Sequence, residues 1–180
     1  VLLNSPGNPS GITLNSKELS DIVDLCKARN ILLVSDEIYD EFTYADGREN
    51  GKYPTPATFS KDMLLLRGFS KTYGMTGWRL GYAVGPKPLI DAMAKIQQYT
   101  FVCAPSMVQW AGIKALETDM SANVASYARK RDMVINALDG VANLIKPTGA
   151  FYAFVEVPKH LGMTGTEFVT NAVKNNVLII

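Results

Sequence analysis

Residues 1–36 read VLLNSPGNPSGITLNSKELSDIVDLCKARNILLVSD, with two short apolar segments on either side of an amphipathic one. The apolar segments, Val1–Asn4 and Ile31–Ser35, have the length of strands that are buried on both faces. Between them, Asn15 and Glu18 have capping-box spacing at the start of a predicted helix. A strand, a helix and a second apolar strand predict a parallel sheet covered by helices.

The remaining sequence predicts more α/β structure and then a different pattern. Strands are predicted at Met63–Leu66 and Arg79–Gly85, and an aromatic, alternating, antiparallel-type strand at Gly149–Val157. Val177–Ile180 reads as a final strand. A surface loop is predicted at 43–59 and a loop or turn region at 68–77. Helices are predicted at about 88–99, from Pro105 onward, at 122–138 and at 164–174.

The change of pattern near residues 120–145 indicates a domain boundary. We assign residues 1–120 to a large α/β domain, and residues 121–180 to a connector helix and part of a smaller α+β domain. Both ends of the chain lie in apolar, strand-like segments. Because natural domains rarely start and stop inside buried strands, we expect the chain to be a piece of a longer protein.

Composition excludes several classes of function. Of 180 residues, 18 are Lys or Arg and 17 are Asp or Glu, so a net charge of +1 does not indicate a nucleic-acid surface. The longest apolar runs are strand-sized and predict no transmembrane helix. Two cysteines and one histidine make neither a disulfide framework nor a zinc site, so the expectation is a cytoplasmic protein without metal.

Polar residues follow the predicted strands at one edge of the sheet. Asn8, Asp36, Tyr39 and Lys71 lie beyond strand ends, where parallel α/β sheets bind ligands. Arg79 reaches the same edge if its strand runs antiparallel to the others. An amine, a carboxylate, a phenol, an amide and a guanidinium suit an imine-forming cofactor with a pyridine ring and a phosphate. Taken singly, each residue could instead be a turn, core or ion-pair residue, so this set permits such a cofactor without requiring it.

Three sequence blocks resemble a known family. They are NPSG at 8–11, SDEIY at 35–39 and GFSKTYGMTGWRLGY at 68–82, and GAFY at 149–152 resembles a further block. Together they are similar to the class I/II aminotransferases of the aspartate aminotransferase-like superfamily, which are fold type I enzymes using pyridoxal 5′-phosphate (PLP). The resemblance implies part of a three-layer α/β/α PLP-binding large domain, followed by part of a small domain.

The resemblance also implies a role for each matching residue. Lys71 matches the lysine that forms the aldimine (Schiff base) with PLP and moves the substrate proton. Asp36 matches the partner of the pyridine nitrogen, and Tyr39 and Asn8 match the donors to the ring oxygen. The resemblance implies transfer of an amino group from an amino acid to a 2-oxo acid, in a homodimer.

The phosphate contacts implied by the resemblance are less complete. Arg79 and Ser70 match phosphate-side positions. Family members often carry serine three residues before the lysine, where this sequence has Gly68. Other family features fall outside residues 1–180: an upstream phosphate loop, a ring-stacking aromatic and a downstream arginine for the substrate carboxylate.

Three alternatives stay open at the level of sequence. Relatives on this fold include β-C–S lyases and aminocyclopropane-carboxylate synthases, which share the cofactor but not the outcome. An aminotransferase-like effector-sensing domain fused to a DNA-binding domain would bind the cofactor without turnover. The 180 residues alone could also be an incomplete and inactive piece.

Overall fold

A computed structural model describes residues 1–179 of the chain. Within them, one sheet has the strand order β1-β2-β3-β4, namely Leu2–Asn4, Val34–Asp36, Leu64–Gly68 and Gly81–Val84. The pairs β1–β2 and β2–β3 are parallel, and β3–β4 is antiparallel. The parallel sheet predicted from residues 1–36 is therefore confirmed, and the fourth strand has the antiparallel direction on which the placement of Arg79 depended.

The predicted helices are also present, with boundaries within one or two residues of those expected. They are α1 (Ser16–Ala28), α2 (Lys87–Gln98), α3 (Ser106–Leu116), α4 (Ser121–Leu138) and α5 (Gly165–Lys174). The capping box of α1 is formed, because Asn15 Oδ1 accepts from the Glu18 N–H at 2.9 Å and Glu18 Oε2 accepts from the Asn15 N–H at 2.9 Å. None of the helices in residues 1–179 combines the length and apolarity needed to cross a membrane.

The main core lies between α1 and the sheet. Val23 and Cys26 of α1 pack against Leu33, Met63 and Leu65. Each buried aliphatic side chain contributes about 1.5–3 kcal/mol of transfer free energy. This core holds the strands together beneath the edge from which the candidate site residues extend.

The strand predicted at Gly149–Val157 is wrong. No strand forms there, and only the isolated bridges Thr43↔Gly149 and Leu144↔Val155 occur. Ala150 has φ +55°, which breaks the extended backbone, and its N–H donates to the Phe42 carbonyl at 2.9 Å. The alternating aromatics arise because the rings of this segment pack against neighbouring rings, not because they line two faces of a sheet.

Other strand predictions were too long. The apolar run Ile31–Ser35 forms a strand only from Val34, and the strand predicted from Arg79 starts at Gly81. Residues 177–179 form no strand, and Ile180 lies outside the described residues. The loop at 43–59 is not wholly on the surface, since Thr43, Tyr44 and Pro56 are buried.

Helix α4 is attached to this loop by ionic contacts. Arg131 Nη1 lies 2.9 Å from Asp46 Oδ1 and donates to the Pro147 carbonyl at 3.0 Å, and Lys146 Nζ lies 2.7 Å from Asp46 Oδ2. The Arg131 guanidinium also stacks over the Tyr44 ring at 4.6 Å. The division of the chain at residue 120 stays a prediction.

Candidate active site

The directions of the four strands bring the predicted site residues to one edge of the sheet. Asn4 of β1 pairs with Asp36 at the end of β2, so both strands deliver their carboxyl ends to one place. Gly68 ends β3 opposite Gly81, which begins the antiparallel β4. Residues just after β1, β2 and β3, and just before β4, therefore lie at one edge, where α/β sheets bind ligands.

Asn8, Asp36 and Tyr39 form a first group of predicted site residues, with Tyr39 at its centre. It is 3% exposed, and burial raises the pKa of its hydroxyl well above the usual value, while the nearby carboxylate of Asp36 acts in the same direction. The nearby Asn8 side-chain amide lowers the same pKa, but burial outweighs it. Asp36 Oδ1 accepts from the Ile38 N–H at 3.1 Å, which orients the carboxylate at the end of β2.

Lys71 belongs to a second group of predicted site residues, with Ser70 and Arg79. Ser70 and Lys71 line a cavity of about 320 Å³, whose other walls include Thr76, Tyr127 and Phe151. Lys71 Nζ lies 5.9 Å from the centre of the Phe151 ring, and it has no hydrogen bond or ion pair to residues 1–179. An amine without a fixed carboxylate partner is free to react with a carbonyl group that enters the cavity.

Arg79 contacts one of the residues that line this cavity. It follows a single turn of 3₁₀ helix, Thr76–Trp78, and has a left-handed backbone with φ +52°. Its Nη1 donates to the carbonyl of Thr76 at 3.0 Å, and Thr76 itself lines the cavity beside Lys71. Most of the guanidinium stays available, because the side chain is exposed and an arginine carries five N–H donors.

Phe151 connects the two groups. Its ring packs edge-on against Tyr39, with ring centres 5.4 Å apart, and it also faces the Lys71 amine. No hydrogen bond or ion pair of residues 1–179 directly joins Asn8, Asp36 or Tyr39 to the cavity group. The structure thus places Asn8, Asp36 and Tyr39 after β1 and β2, Ser70 and Lys71 after β3, and Arg79 before β4, with Phe151 packed against Tyr39 and beside Lys71.

Sequence reasoning missed two residues of this edge. Phe151 and Tyr152 belong to the quoted GAFY block, but the alternating pattern assigned them to a strand. Tyr152 Oη lies 2.5 Å from Tyr39 Oη, and their rings are 5.6 Å apart. The available signal was aromatic content next to glycine, which does not by itself distinguish a strand from a packed turn.

Gly68 occupies a confined position at the same edge. A Cβ built on it would come within 2.6 Å of Ile38 Cδ1, and Ile38 packs against the buried Tyr39 and Phe42. A side chain there requires Ile38 to move. The glycine at this position is therefore matched to its neighbour, and the phosphate-side hydroxyl that the resemblance would place there is absent.

Comparison with known proteins gives a consistent result across the chain. The sequence profile of the family "Aminotransferase class I and II" matches residues 1–180. An aspartate aminotransferase of Pyrococcus abyssi is 35% identical over 174 residues, which are 93% of this chain and 44% of that protein. The chain spans about half the length of the curated relatives that it matches.

Solved structures show the same architecture. An aromatic aminotransferase from Pyrococcus horikoshii superimposes with a TM-score of 0.91 at 31% identity, covering 99% of this chain and 49% of that one. An aspartate aminotransferase from Thermotoga maritima superimposes with a TM-score of 0.90 at 32% identity, covering 100% of this chain and 47% of that one. The α/β arrangement described above is thus that of fold type I aminotransferases.

Proposed function

The chain belongs to the class I and II aminotransferases, and from this membership we propose that the protein transfers an amino group from an amino acid to a 2-oxo acid. The observation that carries the proposal is the Lys71 amine, which lacks an ionic partner among residues 1–179 and lines a cavity at the functional edge of the sheet. The proposal concerns the whole protein, because the chain covers about half the length of its relatives.

Pyridoxal 5′-phosphate is the cofactor of this family. The donor set of the described residues suits it: a carboxylate for the pyridine nitrogen, a phenol and an amide for the ring oxygen, and a guanidinium and a hydroxyl for the phosphate. The residues that would hold it are Asn8, Asp36, Tyr39, Ser70, Lys71 and Arg79. When bound, PLP supplies an electron sink that makes the α-proton of an amino acid removable.

Each residue has a task that its surroundings support. Lys71 Nζ would hold the cofactor covalently and, once displaced by an amino-acid substrate, take the proton from the substrate α-carbon. Asp36, oriented by the Ile38 N–H, would keep a proton on the pyridine nitrogen. Phe151, between Tyr39 and Lys71, would exclude water from the space next to the amine.

The finer features of the proposal follow from the family and not from a contact in the structure. We propose a homodimer, a cytoplasmic location, and a boundary near residue 120 between the PLP-binding large domain and the small domain. The lyase, aminocyclopropane-carboxylate-synthase-like and effector-sensing alternatives have no support in the comparisons, where the relatives described above are named aminotransferases. We leave the substrate at the level of an amino acid and a 2-oxo acid.

Borohydride trapping tests the proposal on the full-length protein. After incubation with PLP and reduction, peptide mass mapping is expected to find the reduced adduct on Lys71. Lys71→Ala should lose the adduct, whereas Lys61→Ala, which changes an exposed lysine ten residues away, should keep it. Amino-acid turnover should require an added 2-oxo acid. A folded protein without an adduct on Lys71 would overturn the proposal, and turnover without an acceptor would replace transfer by a lyase reaction.

A further inference from the structure

The hydroxyl groups of Tyr39 and Tyr152 form a hydrogen bond within the candidate site. Their oxygens lie 2.5 Å apart, and the two rings are nearly perpendicular, with an interplanar angle of 82°. Tyr39 is 3% exposed, so its hydroxyl has little access to water that could compete for this bond. The geometry alone leaves open which of the two hydroxyls is the donor.

The number of protons decides which hydroxyl is the donor once a ligand is considered. A tyrosine hydroxyl has one proton to donate and can accept hydrogen bonds on its oxygen. If Tyr39 gives its single proton to a ligand, the hydrogen bond between the two hydroxyls persists only with Tyr152 as the donor and Tyr39 as the acceptor.

The backbone that carries Tyr152 is held firmly enough to fix such a bond. The Ala150 N–H donates to the Phe42 carbonyl at 2.9 Å, and the Tyr44 hydroxyl donates to the Ala150 carbonyl at 2.5 Å. Ala150 itself is fully buried. Tyr152 therefore reaches Tyr39 from an anchored turn, and its side chain can orient the Tyr39 hydroxyl.

We propose that Tyr152 is a positioning residue, which donates its hydroxyl proton to Tyr39 so that Tyr39 directs its own proton to the phenolic oxygen of the cofactor. This inference rests on the proposed function, in which Tyr39 faces that oxygen. A donated hydrogen bond polarises the acceptor hydroxyl and strengthens its own donation. Tyr152 thus acts on the cofactor through Tyr39 and without touching it.

The test is an absorbance titration of the full-length protein loaded with PLP, which follows protonation of the lysine–cofactor linkage. Loss of the Tyr152 hydroxyl weakens donation from Tyr39, so the phenolic oxygen retains the shared proton more strongly. In Tyr152→Phe we expect the titration midpoint to rise by about half a pH unit. In the Tyr39→Phe background, the same substitution should produce no further shift.

Tyr53→Phe is the matched control. It also removes one partly buried tyrosine hydroxyl, but the Tyr53 ring lies against the Arg67 guanidinium, and its hydroxyl bonds neither Tyr39 nor the turn that carries Tyr152. We expect Tyr53→Phe to leave the midpoint unchanged. Chemical denaturation of each variant confirms that the proteins compared are folded.

Three results would overturn the inference. A midpoint that falls in Tyr152→Phe means that Tyr39 was the donor, since its proton is then released toward the cofactor. A shift shared by Tyr53→Phe, or one that persists in the Tyr39→Phe background, means that Tyr152 acts only on the fold. If the wild-type protein forms no adduct on Lys71, the proposed function fails first and this inference fails with it, which borohydride trapping distinguishes from the other results.

Discussion

Glu37 and Arg67 form a buried ion pair directly behind the functional edge of the sheet. Arg67 Nη2 lies 2.7 Å from Glu37 Oε2, and its Nε lies 3.2 Å from the same oxygen. Glu37 is 1% exposed, and its other oxygen accepts from Ser35 at 3.1 Å and from Thr55 at 2.6 Å. Since Glu37 follows Asp36, this pair fixes the backbone that presents the proposed pyridine partner.

Glu37→Gln is expected to lower the free energy of unfolding by about 2 kcal/mol. The substitution leaves the half-buried Arg67 charge without its main partner, and removing one member of a buried pair is costly. Glu117→Gln is the matched control, because Glu117 pairs with Lys114 on the exposed surface of the protein and should change stability by less than about 0.5 kcal/mol. Urea denaturation measures both, and equal losses would contradict the structural role assigned to Glu37.

Asp36→Asn should reduce amino-group transfer by about 100-fold or more, because a neutral amide no longer keeps the pyridine nitrogen protonated. Asp24→Asn, on the exposed side of α1, makes the same chemical change far from the edge and should leave the rate unaltered. Steady-state kinetics with a fixed donor and acceptor compares the two variants. A rate for Asp36→Asn close to that of the wild type would remove Asp36 from the site.

Gly68→Ser tests the confined position at the end of β3. The new Cβ would come within 2.6 Å of Ile38 Cδ1, so we expect a loss of about 1 kcal/mol of stability from overpacking. Ile38→Val removes that terminal carbon and should recover most of the loss in the double variant. Thermal or urea denaturation of the single and double variants provides the cycle. If the two substitutions lower the stability additively, the strain in Gly68→Ser does not come from the contact with Ile38.

Stability is expected to decrease at alkaline pH because tyrosines are buried in the folded state. Burial raises the pKa of Tyr44 to about 12, whereas a tyrosine in the unfolded chain ionises near pH 10. Because the pKa is higher in the folded state, the contribution of Tyr44 to the free energy of unfolding is intact below pH 10. This contribution is lost progressively as the pH rises from about 10 to 12. Each such tyrosine should therefore cost about 1 kcal/mol between pH 9 and pH 11.

Urea denaturation at pH 9 and pH 11 measures this dependence. Tyr44→Phe should make the decrease with pH smaller by about 1 kcal/mol, since one ionisable group is lost from the unfolded state. Tyr99→Phe serves as the control, because Tyr99 is 83% exposed and its hydroxyl is solvated in both states. An identical pH dependence in the wild type and Tyr44→Phe would show that Tyr44 ionises in the folded protein as it does in the unfolded chain.

Local sequence signals predicted most of the fold. Asn15 and Glu18 located the start of α1 because capping depends on spacing within one turn, and apolar runs located the strands because burial on both faces leaves no polar alternation. The antiparallel direction of β4 could only be stated as a condition. Strand direction depends on how the chain turns at residues 68–80, and composition does not determine that path.

The site was predicted as a set of residues and not as an arrangement. Lys71, Asp36 and Tyr39 were identifiable because they follow strand ends and lie in blocks that resemble a family. Contacts between distant segments were not identifiable, and Tyr39 with Tyr152 is the clearest case, since 113 residues separate them. Alternation in GAFY predicted a strand because hydrophobic period alone does not register the positive φ of Ala150.

The GAFY turn lies outside the sheet, while Asp36, Lys71 and the start of β4 are parts of it or adjoin it directly. Phe151, which lines the cavity beside Lys71, therefore has a different structural support from the residues proposed to hold the cofactor. Substitutions of Phe151 can change the shape of this cavity while the strands of the sheet keep their register. Evolution could in this way reshape the cavity through one aromatic position and retain both Tyr152 and the strand ends.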